Sequence, residues 1–266
     1  MKLNVIDKSG NKVSDFEYSI NEDIRVDIFK KAVVSENSLF RQRQGSDPLA
    51  GKKHSINVSK RRKAFRTTYG RGGSRSPRKS MWARGTQHRF VGAFAAFTVG
   101  GRRAHGPKAE KVLFKNLNNK EWMKALRVGF VASMNNDVVS KNGQKVPQSY
   151  PFVFDNSIES ISKTKEFMDI LSKIGFEDEV DRTQTRKIRA GIGTMRNRTY
   201  KVKRGPLVVV SSLESPLLKA ARNVLGFEVI TTDILMASDF GMNIVPGRAV
   251  LFTKEAFDVF TKEVIN

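Results

Sequence analysis

Two stretches of this chain hold residue types whose spacing suits chemistry on an anion. Lys60-Arg61-Arg62-Lys63-Ala64-Phe65-Arg66 and Arg71-Gly72-Gly73-Ser74-Arg75-Ser76-Pro77-Arg78-Lys79 interleave cations with glycine, serine and an aromatic ring. A guanidinium pairs a phosphate through two parallel hydrogen bonds and stacks on a flat ring, whereas an ammonium acts as a point charge. Glycine lets the backbone lie close to a sugar–phosphate surface. Both runs sit inside Arg41–Lys108, which holds eighteen lysines and arginines against one acid, Asp47, for a net +17. A second segment, Arg182–Arg204, holds nine cations and no acid. The whole chain carries +22, so the remainder is slightly acidic at −4. Charge concentrated in this way points to a polyanion, and a phosphate backbone is the commonest one. The long stretch also carries Phe65, Tyr69, Trp82, Phe90, Phe94 and Phe97. A plain solvated linker is poor in aromatics, and bases offer flat partners for them. The candidate contacts there are Lys60, Arg61, Arg62, Lys63, Arg66, Tyr69, Arg71, Arg75, Arg78, Lys79, Trp82, Arg84, Arg89 and Lys108.

Other chemistries find less support. Gly191-Ile192-Gly193-Thr194-Met195-Arg196 begins like a dinucleotide loop, but Arg196 stands at the third glycine and no apolar strand precedes it. The apolar run Leu207–Val210 leads into Ser211-Ser212-Leu213-Glu214, with no glycine to admit a phosphate. His54, His88 and His105 are far apart and lack neighbouring carboxylates, so they read as solvent- or phosphate-facing rather than as metal ligands. Glu177-Asp178-Glu179 reads as the first turn of a helix rather than an acid/base pair. The chain has no cysteine, which excludes disulfides, thiol catalysis and Cys-based metal sites. No enzyme and no cofactor are expected. The first residues lack the apolar core of a signal peptide, and no apolar run approaches the roughly 18 residues of a membrane span. The expected location is the cytoplasm, with no membrane partner.

The elements that must position these cations are those of an α/β protein. Leu3–Ile6 and Phe16–Tyr18 read as strands, and a helix spans about Asp23–Phe40, capped by Asn21 or Asp23. From Gln44 to Pro107 no period persists, and ten of the twenty glycines lie between Arg41 and Lys108. Regular structure is not expected there, and nucleic acid is expected to order the segment. Beyond it, Trp122, Leu126, Gly129 and Phe130 share a helical face, with Leu126 and Phe130 as core. Phe152–Phe154 is a strand, and Ile158, Ile161, Phe167, Ile170 and Leu171 belong to a helix ending near Gly175. Leu207–Val210 is a strand buried on both faces. Ser215 caps a helix with Pro216 at its first position, ending at Gly226. Phe227–Ile230 and Ala249–Phe252 are strands, and Ala256, Phe260 and Val264 line the last helix. The expectation is a mainly parallel sheet flanked by helices, with one long extended internal loop. The globular α/β domain is discontinuous, residues 1–43 and 109–266, and residues 44–108 form the basic loop.

Several motifs carry a resemblance. Val99-Gly100-Gly101-Arg102-Arg103-Ala104-His105-Gly106-Pro107-Lys108-Ala109-Glu110-Lys111 resembles the signature of the universal large-subunit ribosomal protein L-four family, in its archaeal and eukaryotic form. Tyr69-Gly70-Arg71-Gly72 through Ser76-Pro77-Arg78-Lys79, Met81-Trp82-Ala83-Arg84-Gly85 and Val91-Gly92-Ala93-Phe94-Ala95 resemble that family's finger. Arg189 to Tyr200 is similar to its second RNA-contacting motif. The chain departs from the family pattern at Ile192 and Thr194, where lysine is common, and at Gly106, where proline is. It stops after its last helix, which favours an archaeal-type member. The resemblance implies a structural protein of the large ribosomal subunit that binds its rRNA, aids assembly and lines part of the peptide exit tunnel. Tyr69, Arg71, Arg75 and Arg78 would line the tunnel. Arg102, Arg103 and His105 would contact rRNA from the returning arm, and Arg189, Arg196, Arg198 and Lys201 from the second patch. Implied partners are large-subunit rRNA, neighbouring ribosomal proteins and the nascent peptide. The alternative is a general DNA- or RNA-binding, nucleic-acid-compacting protein.

Overall fold

The computed structural model describes all residues except 1, 19, 21, 57–60, 64–68, 71, 86 and 266, and the side chain of residue 265. In chain order the elements are β1 (Lys2–Ile6), β2 (Lys12–Glu17), α1 (Val26–Leu39), β3 (Arg78–Arg84), β4 (Gln87–Gly92), α2 (Asn119–Ser133) and α3 (Asn136–Lys141). Then come β5 (Phe152–Phe154), α4 (Thr164–Ile174), α5 (Glu177–Gln184), β6 (Lys187–Ile188), β7 (Tyr200–Lys201), β8 (Leu207–Val210) and α6 (Leu217–Arg222). The chain ends with β9 (Glu228–Thr231), β10 (Gly241–Met242), β11 (Val245–Pro246), β12 (Val250–Thr253) and α7 (Lys254–Ile265). Two units are distinct. One comprises residues 1–40 and 114–266, the other residues 41–113.

The first unit is built on a six-stranded sheet of order β2-β1-β5-β12-β8-β9. Only the β1–β2 pair is antiparallel. Strand side chains alternate between two cores, as a period of two requires. Leu3, Val153, Leu207, Val209, Val250 and Phe252 face α1, α2 and α7, whose Phe29, Phe130, Phe257 and Phe260 fill that side. Ile6, Phe152, Phe154, Val208, Val210 and Leu251 face the other side, with Phe167, Phe176 and Leu217. All four residues of β8 are buried, because helices cover both faces. The mainly parallel, helix-flanked sheet read from the sequence is therefore present.

Several local expectations are corrected. The first helix starts at Val26, after Arg25, and has no side-chain cap at its N-terminus. Asp23 does not cap it, and Asn21 lies outside the described residues. Arg25 instead pairs with Asp27 at 2.7 Å. The apolar series from Ile158 to Leu171 is split: Asn156–Ser160 is a single 3₁₀ turn, and α4 begins only at Thr164. Ile158 and Ile161 are buried from this turn and connector rather than from a helix face. Gly175 ends α4 in the left-handed region at φ 95°, as read from the sequence. Ser215 does not cap α6 with its side chain; its hydroxyl donates to the Glu159 carbonyl at 3.2 Å. That helix is also short, ending at Arg222 rather than at Gly226.

The second unit contains regular structure where none was expected. Strands β3 and β4 form an antiparallel hairpin, with Arg84 opposite Gln87 across a two-residue turn that starts at Gly85. Gly85 has φ 55°, the conformation such turns demand. A β-bulge between Ser80 and Trp82 shifts the register. Close backbone packing holds the unit elsewhere. Gly51 has φ 72°, and a Cβ there would fall 2.4 Å from the carbonyl oxygen of Gly101.

Core and surface substitutions should separate sharply. Phe252→Ala is expected to cost about 3–5 kcal/mol by leaving a cavity between β12 and α7. Phe97→Ala, at a ring 79% exposed, should change stability by less than about 0.5 kcal/mol. Urea denaturation of both variants measures the difference; equal losses would contradict the assigned core.

Candidate nucleic-acid interface

In the second unit the cations are placed by hairpin and turns, not by a core. Arg61, Arg62 and Lys63 are exposed, and Lys63 has φ 57°. Lys60, Arg66 and Arg71, and the ring of Phe65, lie outside the described residues. Tyr69 is half-buried, with the Arg75 guanidinium 4.5 Å and the Arg62 guanidinium 5.8 Å from its ring centre. Two like charges are thus gathered at one aromatic ring. Arg78 is committed to its own loop. It donates to the Ser74 carbonyl at 2.6 Å, to the Ser74 hydroxyl, and to the Ser76 carbonyl at 3.4 Å. Lys79 is half-buried beside it, and Arg84 and Arg89 are exposed on the hairpin. Trp82 lies opposite Arg89 across the hairpin and is 49% exposed.

Residues 44–53 and 101–110 run together and enclose a cleft of about 610 Å³. Arg102, Arg103, Lys52 and Lys108 line it. Ser46 donates its backbone N–H to the Pro107 carbonyl at 3.1 Å, which helps hold its two sides. Asp47 also lines it, but this carboxylate is already engaged by Lys53 at 2.6 Å and by the Leu49 N–H at 2.9 Å. The Lys53 hydrogen bond, then that N–H, hold its pKa below the ordinary value. Asp47 thus stays ionised, and Lys53 offsets its charge beside the cleft. His105 is exposed on the same segment. No group of three or more metal-ligating side chains occurs among the described residues.

The second basic segment is a ribbon on the first unit. β6 and β7 pair Lys187 with Lys201 and Ile188 with Tyr200. Between them Arg189 donates its backbone N–H to Thr199 at 2.8 Å and its side chain to the Arg198 carbonyl at 3.2 Å. Gly191 at φ 83° and Asn197 at φ 56° make the tight bends. Arg189, Arg196, Arg198 and Lys201 are all exposed, and so are Ile188, Ile192, Met195 and Tyr200. The ribbon thus offers cations and apolar surface together, backed by no core of its own.

Two of the nine cations in this segment are structural. Arg182 takes Glu179 in a two-pronged pair at 2.6 Å each and donates to the Arg204 carbonyl at 2.7 Å. One foot of the ribbon is thereby tied to the other. Arg204 in turn reaches Glu228 at 2.8 Å and the Gly241 carbonyl at 2.9 Å. Beneath it, the fully buried Arg248 donates to Glu228 at 2.5 Å and to the Gly205 carbonyl at 2.7 Å. Burial pushes the Arg248 guanidinium down to about 10, helped by Arg204 and opposed by Glu228. Burial works to raise Glu228, but Arg248 and Arg204 outweigh it and hold the carboxyl below its ordinary value. Nothing in the local pattern Pro246-Gly247-Arg248-Ala249 marks Arg248 as the anchor; its partners come from residues 205, 206, 228 and 239.

The crevice where open α/β sheets usually bind ligands is filled from within. Helix α6 follows β8 to one core and α7 follows β12 to the other, so the chain diverges at the carboxyl ends of two adjacent strands. There the Glu159 carboxylate accepts from the Ser211 N–H at 2.9 Å, the Ser211 hydroxyl at 2.7 Å and the Thr253 hydroxyl.

An α/β body whose cations gather on two exposed, nearly acid-free segments has the layout of a polyanion-binding protein. Comparison with known proteins places it further. The model of the ribosomal protein L4/L1 family matches residues 17–263, and the chain belongs to that family. It is similar to the large ribosomal subunit protein uL4 of Nanoarchaeum equitans, 35% identical over 260 residues that cover 97% of each chain. It is 34% identical to the uL4 of Methanococcus vannielii over 262 residues, again 97% of each. The uL4 of Sulfolobus acidocaldarius is 32% identical over 262 residues, 97% of this chain and 93% of that one. The family is one of structural ribosomal proteins, not of enzymes.

The Glu228 network makes a pH-dependent prediction. A carboxyl whose folded pKa is depressed stabilises the protein above its unfolded pKa, and that contribution is lost as pH falls through the folded value. Glu228→Gln should cost about 2 kcal/mol at neutral pH, because Arg248 loses its charged partner while half of the site remains wet. The gap to wild type should close as pH falls below the ordinary glutamate value of 4.5. Chemical denaturation across pH measures it; a gap independent of pH would contradict the ion-pair account.

Proposed function

We propose that this chain is a structural constituent of the large ribosomal subunit. It binds large-subunit rRNA, aids its assembly and lines part of the polypeptide exit tunnel. It works in the cytoplasm, on the ribosome, beside neighbouring large-subunit proteins. Residues 1–43 and 109–266 act as the anchoring α/β domain, and residues 44–108 as an extended basic loop that reaches the tunnel embedded in rRNA. Tyr69, Arg71, Arg75 and Arg78 face the nascent peptide. The rRNA contacts are those named above on the loop, together with Arg189, Arg196, Arg198 and Lys201 on the ribbon.

The observation that carries this reading is the segregation of charge. Residues 41–108 hold +17 with Asp47 as the single acid, and that acid is neutralised locally by Lys53. Cations with so few acids beside them in their segment have a folded phosphate surface as their natural counterpart. The ribbon repeats the arrangement on a smaller scale, with its feet pinned and its tip free of acids. Membership of the L4/L1 family and similarity to three archaeal uL4 proteins support the large-subunit assignment.

Footprinting on large-subunit rRNA, against duplex DNA of equal length, tests the reading. A defined protected rRNA region is expected, and equal binding to both would favour a general compacting protein. Binding should weaken steeply with salt, by about 0.7–0.9 in log–log slope for each phosphate neutralised. Deleting residues 44–107 should leave a folded body that has lost most of this slope. A flat salt response of the full chain would contradict binding through phosphates.

A further inference from the structure

We propose that the ring of Phe97 is a stacking surface for an unpaired base of the RNA that this protein binds. The inference rests on the RNA-binding reading above and adds a contact of a different kind. Single exposed apolar residues are ordinary on protein surfaces. Phe97 differs in how it is held and in what surrounds it.

The turn that carries it is closed by its own hydrogen bonds. Ala93 donates its N–H to the Pro77 carbonyl at 3.1 Å, and Thr98 donates both N–H and hydroxyl to the Ala95 carbonyl, at 3.2 and 2.7 Å. Gly101 closes the turn on the Thr98 carbonyl at 3.0 Å, so tightly that a Cβ there would fall 1.9 Å from the Ala95 oxygen. Phe94, at φ 67°, and Gly100, at φ 71°, supply the reversals. Ala93 and Ala95 are buried, yet Phe97 stands 79% exposed between them and Gly100. A turn with this many internal ties fixes the backbone that presents Phe97 before any partner arrives. A preordered contact loses little entropy on binding.

The surroundings favour a base over an apolar protein patch. The turn leads directly into Arg102 and Arg103, and no acid other than the engaged Asp47 lies between residues 41 and 108. An apolar protein surface laid over this segment would offer its arginines no counter-charge. A nucleotide supplies both halves: a flat base for the ring and a phosphate for the arginines.

The test is binding of the full chain to a large-subunit rRNA transcript at several salt concentrations, with Phe97→Ala, Phe97→Leu and Phe97→Trp. Melting curves of the variants should match wild type, since the ring touches no core. Alanine and leucine should each weaken binding about tenfold, and tryptophan should equal or exceed phenylalanine. The salt slope should be unchanged in all of them, because stacking releases no counterions. Leucine as good as phenylalanine would show apolar covering without stacking and overturn the proposal. So would alanine binding at the wild-type level. Failure of the wild-type chain to bind rRNA at all would instead sink the RNA-binding reading on which the proposal stands.

Discussion

Like charges crowded along a chain cannot share a hydrophobic core, and this electrostatic constraint shapes the molecule. Burying an unpaired ammonium or guanidinium costs several kcal/mol even after relaxation. Eighteen such groups with one carboxylate among them must therefore stay near water until an external anion meets them. The consequences are visible in the second unit. Its backbone is shaped by a hairpin, by glycines in positive-φ turns and by side-chain-to-carbonyl bonds such as those of Arg78. Few apolar groups there are buried; Ala93 and Ala95 are the fully covered ones among the described residues.

The first unit answers the same constraint in the opposite way. Where a guanidinium is buried, as at Arg248, the fold surrounds it with carbonyls and a carboxylate. That network also fixes Arg204, and Arg182 holds the Arg204 carbonyl, so the ribbon's two feet stay together while its arginines face outward. In the body, Glu179 and Glu228 thus position cations. The buried Glu36 holds no cation; it takes the Trp122 indole N–H at 2.7 Å and the N–H groups of Ala237 and Ser238. Glu159 fills the divergence point of β8 and β12 with three hydrogen bonds. A sheet that elsewhere would cradle a ligand at this point is here sealed as a scaffold.

The sequence made the large features plain because each had a strong local cause. The continuous run Leu207–Val210 could only be a strand covered on both sides, and it is. Leu126 and Phe130 sit in the core that their helical spacing required. Charge segregation and the ordered motifs around Arg102 and Arg189 pointed to the family that the comparisons establish. What stayed hidden depended on partners distant in sequence. Arg248 looks like an ordinary surface arginine until Glu228 and the carbonyls of residues 205 and 206 converge on it. Ser215 has the right type for a cap, but α6 starts only at Leu217 with Pro216 at the cap position, and the Ser215 hydroxyl instead donates to the Glu159 carbonyl. The β3–β4 hairpin escaped because arginine, lysine and glutamine occupy both of its faces, leaving no apolar alternation to read. Its signal was the glycine at position 85 between two short segments rich in β-forming residues.

On the function proposed above, these cations hold folded ribosomal RNA. Sedimentation of the native protein through a gradient tests it most directly. The protein should travel with large ribosomal subunits and stay bound through a moderate-salt wash, since many phosphate contacts act together with stacking and shape. Migration at the top of the gradient, free of subunits at the same ionic strength, would contradict the account.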